Sequence, residues 1–143
     1  MKAIHDMLEE IQAINIDSEI EQSLYDTREN YVSLQQEQIK SGVRSDDKNI
    51  FRLSTGSDQY SPGYARKKGK TKPIDLFDKG DFSMEIFMDV RDEELFIDSA
   101  DPKSGMLQKD YGDKIFGLND ERGQVFADTT GQVLVGRIEK KLS

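Results

Sequence analysis

The sequence predicts an α+β protein with N-terminal helices, a small antiparallel sheet built around a β-hairpin, and a C-terminal helix. Three observations predict this class. Apolar residues recur at helical spacing across the N-terminal third. Around residues 82–90 they alternate with polar ones, as in a strand with one buried face. A last amphipathic stretch then runs from Asn119 to the end of the chain. All 143 residues suit one domain with one modest core.

Ile4, Leu8, Ile11 and Ile14 define a first helix. Asn15 or Asp17 can end it and cap the next. Ile20, Leu24, Tyr31, Leu34 and Ile39 mark a second stripe, and Gly42 lies just past it, where a C-terminal cap is expected. Both stripes are thinly apolar, so each needs a sheet or another subunit to cover it. Residues 41–73 have the weakest pattern. They hold a short apolar piece, "IFRL", as a candidate strand, and Tyr60, Pro62 and Tyr64 as anchors on the body.

Phe82, Met84, Ile86, Met88 and Val90 form the expected first strand, with Phe87 the apolar exception. "RDEE" is a polar turn and "LFIDSA" the returning strand. Asp101-Pro102 ends the hairpin. "PKSGMLQKDYG" is a short helix or helical turn with Met106, Leu107 and Tyr111. "IFGL" is too short to stand alone and should dock on Phe82, Met84, Ile86 and Met88. Ile115, Phe116 and Leu118 are therefore core or interface candidates together with Phe82 and Ile86. Asn119 or Asp120 can cap the last helix, in which Val125, Phe126, Val133, Leu134, Ile138 and Leu142 are available for packing. Gly123 and Gly131 weaken that helix, while Lys140 and Lys141 suit its negative end.

Composition excludes several kinds of chemistry. There is no Cys, so thiol redox chemistry and thiolate metal sites are out. The one His, His5, cannot build a histidine cluster or serve a charge relay near a chain end. Asp75, Asp78 and Asp81 are spaced by three, but a calcium loop needs alternating oxygens and a distal Glu, and residue 86 is Ile. With 28 acidic residues, chance carboxylate pairs carry no signal. The expectation is a protein with no catalytic residues, no cofactor, no metal and no small-molecule substrate. No stretch has the length of a membrane span. The opening "MKAIHDMLEE" is acidic from the start and does not read as a signal peptide, so synthesis in the cytoplasm is expected.

The long loop at about 52–74 is the exception to an acidic chain. Arg66, Lys67, Lys68, Lys70 and Lys72 crowd into it, beside Tyr64, although the net charge is −8. Gly69-Lys70-Thr71 resembles the end of a phosphate-binding loop, but the first glycine would have to stand at position 64, which is Tyr. Two readings remain. The segment can meet phosphates, with Tyr60 and Tyr64 stacking on bases, as in a nucleic-acid-binding packaging or regulatory factor. Alternatively it is solvated, or faces acidic surface on a neighbouring subunit. The net acidity predicts DNA binding that is weak or absent.

The second half resembles virion morphogenesis and tail-completion proteins of tailed bacteriophages. Those proteins share N-terminal helices, a "TG"-like element before a strand, an aromatic-plus-Gly element of the "YAxxHxFG" kind, a "PFLGLSDED"-like phrase and a last amphipathic helix. Here Lys79-Gly80-Asp81-Phe82 stands at the hairpin opening, and "KDYG" (Lys109 to Gly112) takes the aromatic-Gly place. Ile115 to Glu121 looks like the "PFLGLSDE" phrase. The likeness covers about residues 75–142. The family's His has no counterpart, its Pro is replaced near Lys114-Ile115, and the basic loop matches nothing in the pattern. The resemblance implies a structural neck or tail-completion component in a virion, made in the cytoplasm of a bacterial host. It implies assembly with itself in a ring, a hexamer or dodecamer, and with tail and head-connector proteins.

Overall fold

In the computed structural model, which describes residues 3–76, 80–92 and 94–142, the chain is α+β. Three helices come first: α1 (Ile4–Ala13), α2 (Ile16–Asp26) and α3 (Arg28–Lys40). Asn15 separates the first two and caps α2, its side chain accepting from the Ser18 N–H at 3.1 Å. The second expected helix is two. Thr27 interrupts it, and its hydroxyl lies 2.8 Å from the Ser23 carbonyl and 3.0 Å from the Thr130 hydroxyl. A buried hydroxyl that bonds back to the preceding turn bends a helix at that point.

α3 stops where Gly42 takes φ +73°. The Gly42 N–H donates to the Ile39 carbonyl at 2.9 Å and the Val43 N–H to the Gln38 carbonyl at 3.1 Å, the two bonds of a Schellman cap. The chain then makes an isolated bridge between Val43 and Asn49. "IFRL" is not a strand. Ile50 is fully buried, but its backbone runs through irregular loop. The basic region likewise departs from expectation: Pro62–Lys68 is a helix, α4, with Pro62 in its first turn and Gly69 in the left-handed region at its end.

The hairpin begins later than the alternation suggests. Asp81–Met84 is a helical turn, α5, entered from Gly80 at φ +83°. Met84 consequently points outward and is 71 % exposed, so it is no part of the docking face. Phe82 and Ile86 stay buried because residues four apart share one side of a helical turn as well as of a strand. β1 (Ile86–Arg91) pairs antiparallel with β2 (Glu94–Ser99), Met88 opposite Ile97 and Val90 opposite Leu95. The two-strand sheet lies against α3 and α2. The Ser99 hydroxyl donates to the Phe82 carbonyl at 2.7 Å and joins the hairpin's far end to α5.

α6 (Ser104–Tyr111) and a 3₁₀ turn at Asp113–Ile115 lead to α7 (Asp120–Leu142). The Asn119 carboxamide oxygen accepts from the Arg122 N–H at 3.2 Å and caps α7. Among the described residues of α7 only Phe126 is buried; Val125 and Val135 face out. α7 packs mainly on α2, where Arg137 reaches Glu19 at 2.8 Å and Asp26 at 3.2 Å and Lys141 also pairs with Glu19. No helix among the described residues is long and apolar enough to cross a membrane.

Among the described residues the core has two clusters. Ile39, Ile50, Tyr60, Ile74, Phe82, Ile86, Tyr111 and Ile115 make the larger one. Tyr31, Met88 and Phe126 make the smaller, with the Tyr31 and Phe126 rings edge-on at 5.2 Å. Burial pushes the Tyr31 phenol up to about 12, against a hydrogen bond from the Leu118 backbone that acts the other way.

Candidate functional site

The basic segment is built on an ion-pair knot. Lys68 leaves the end of α4 toward the body, and its ammonium donates to Asp75 Oδ1 and to the Tyr60 hydroxyl, both at 2.9 Å. The Tyr60 hydroxyl donates to the same carboxylate at 2.7 Å and accepts from the Asp75 N–H at 3.0 Å. Lys70 holds the other oxygen, Oδ2, at 2.5 Å. Burial acts to lower the Lys68 pKa, but the hydrogen bonds to Asp75 and Tyr60 outweigh it and the net direction is up. Burial likewise raises the Tyr60 phenol.

These contacts divide the five cations. Lys68 and Lys70 are turned onto Asp75, while Arg66, Lys67 and Lys72 are exposed. Tyr64 is half-buried, its ring 5.1 Å from that of Tyr60, with the Lys68 ammonium over both. Gly69-Lys70-Thr71 follows a helix here, whereas a phosphate-binding loop leads into one and offers its N-terminal N–H groups. Asp75 pairs with two lysines, Asp81 is exposed, and Asp78 lies outside the described residues. Among the described residues no group of three metal-ligating side chains comes together.

Beside α4 is an open groove of about 390 Å³, walled by Tyr64 from α4, by Met106, Leu107 and Tyr111 from α6, and by Leu76 and Phe82. Arg52 and Lys103 also line it, as do Asp81 and Asp101. Roughly 300–1,000 Å³ is usual for a ligand pocket, so this one can take a few side chains or a small molecule. Of the elements that wall it, only α6 was expected from the sequence; α4 was expected as loop and Phe82 as strand, and nothing in the spacing brings residues 64 and 106 together.

Ile115 is fully buried beside Phe82 and Ile86. Phe116 is half-buried with its ring 5.7 Å from Phe82, and Leu118 packs instead on the smaller cluster with Met88 and Tyr31. Gly117, at φ +95°, brings the backbone against Ser45; a Cβ there would lie 3.3 Å from Ser45 Cβ.

No protein-family model, curated protein or solved structure matches the chain.

Proposed function

We propose that the chain is a structural component of a phage virion, a neck or tail-completion subunit that joins the tail to the head connector as part of a ring. One observation carries the reading. α1 has no buried residue, yet it presents a regular apolar stripe. A helix of this length is marginal in water, and its contact with α7 leaves Ile4, Leu8 and Ile11 largely exposed. Ring subunits draw the surface that covers such a stripe from their neighbours. The outer side of the hairpin adds exposed Phe87 and Phe96, and the resemblance of residues 75–142 to tail-completion proteins supplies the setting. In this reading the chain positions other proteins and does no chemistry.

The test is the composition of the particle. Virions assembled from the genome that encodes the chain are purified and their proteins identified by mass spectrometry. Deletion of the gene should leave filled heads and separate tails. Normal infectious particles without the protein would refute the proposal.

A further inference from the structure

The groove along α6 is lined by charges of both signs that do not satisfy one another. Asp101 is 6 % exposed, and its carboxylate takes one hydrogen bond, at Oδ1 from the Lys103 N–H at 2.8 Å. Among the described residues it has no cation partner. A carboxylate withdrawn from water ordinarily has a cation or several donors around it, and here that place opens on the groove. Arg52 lines the same groove at the Tyr111 end, its guanidinium 3.5 Å from the Tyr111 hydroxyl and, among the described residues, without a carboxylate. In this acidic chain Arg44, Arg91, Arg122 and Arg137 each reach a carboxylate within 3.1 Å. Arg52 does not.

Lys103 and Asp81, both exposed, add one charge of each sign to the lining. The balance favours neither a simple cation nor a simple anion. It suits a ligand with opposite charges at its two ends and an apolar body, for which Leu107, Met106, Tyr64 and Phe82 supply the wall. The distance between the ends sets the ligand's length. α6 begins at Ser104, three residues past Asp101, and ends at Tyr111. Its eight residues rise about 1.5 Å each, roughly 10–12 Å in all. Extended chain advances about 3.3 Å per residue, so about three residues cover that span. The Ser61 and Tyr64 hydroxyls, also in the lining, make no hydrogen bond among the described residues and are available to peptide groups. We propose that the groove binds an extended apolar peptide of about three residues, with its terminal ammonium at Asp101 and its terminal carboxylate at Arg52. The site does not depend on the ring reading, and a single chain is enough to form it.

Calorimetric titration of the full chain with trileucine tests it, beside N-acetyl-trileucine, trileucine amide and free leucine. A hydrogen bond to a charged group contributes enough that blocking either end should weaken binding about tenfold or more. Free leucine, whose two charges sit on one carbon, should bind far more weakly than trileucine. Two variants assign the ends. Asp101→Asn keeps an oxygen for the Lys103 N–H and should bind trileucine and its N-acetyl form alike, while still preferring trileucine to the amide. Arg52→Ala, at an exposed side chain, should melt close to the wild type and show the reverse pattern. Absence of trileucine binding to the wild type at millimolar concentration overturns the proposal. So does equal binding of the blocked peptides to the wild type, which needs no variant to fold, or free leucine binding as tightly as trileucine. If either variant keeps both preferences of the wild type, the end assigned to that residue is wrong.

Discussion

The Gln38 carboxamide bridges two backbone groups of the segment before α7, donating to the Gly117 carbonyl at 2.7 Å and accepting from the Asn119 N–H at 2.8 Å. Gln35, one turn earlier, donates to the Ile115 carbonyl at 3.2 Å and accepts from the Gly117 N–H at 2.8 Å. Both glutamines are fully buried. Together they bond the 115–119 segment as a neighbouring strand would, although α3 is a helix.

Gln38→Leu keeps the volume and removes both bonds. Each orphaned buried group costs about 1–3 kcal/mol, so the variant should lose roughly 2–6 kcal/mol in urea titration. A loss below about 1 kcal/mol would mean that the segment is held by its apolar contacts alone.

Gly42 and Gly69 both have positive φ, but only Gly42 is crowded. A Cβ on Gly42 would overlap Pro73 and lie 2.9 Å from the Ile74 carbonyl oxygen, whereas Gly69 has open space. Gly69→Ala should therefore cost only the backbone term, about 1–2 kcal/mol. Gly42→Ala should cost clearly more or prevent folding. Equal thermal melts for the two would contradict the close approach of residues 42 and 73.

Asp75→Asn removes the counter-charge of Lys68 while Lys68 stays mostly buried. Breaking a buried pair from one side costs roughly 3–5 kcal/mol, and partial exposure here puts the expectation near the lower figure. Adding Lys68→Met to Asp75→Asn should recover part of the loss, because the ammonium that faced the Asp75 carboxylate is then gone as well. A double variant no more stable than Asp75→Asn would show that Lys68 does not depend on this partner.

Glu19 is held below the usual carboxylate range, first by its hydrogen bond with Lys141 and also by Arg137, while burial opposes them. A carboxyl depressed in the fold stabilises it above the unfolded value, near 4.5 for Glu, and the contribution is lost as pH falls through the folded value. Glu19→Gln should therefore be less stable than wild type at neutral pH, with the gap closing in acid. A gap that persists unchanged to about pH 3 would place the effect in packing rather than charge.

Much of the fold was legible because local chemistry and global position agreed. Asn15 caps a helix and Gly42 ends one, each for a reason that neighbouring residues display. Met84 misled because Phe82 and Ile86 satisfy strand alternation and a helical turn equally well, and Gly80 decides between them through its backbone. Gln35 and Gln38 were illegible. A glutamine in a polar helix stretch looks solvent-facing until the distant backbone that it satisfies is known. The basic segment stands out in the sequence as a cluster, but its division into cations turned onto Asp75 and cations left exposed depends on pairings across seven and five residues that no periodicity encodes.

The central claim is that this chain functions as a repeating subunit. Multi-angle light scattering of the purified protein, alone and mixed with head-connector and tail proteins from the same genome, measures it most directly. The account predicts a closed species of fixed subunit number, six or twelve chains, formed alone or on the connector. A single-chain mass at every concentration and in every mixture would contradict it.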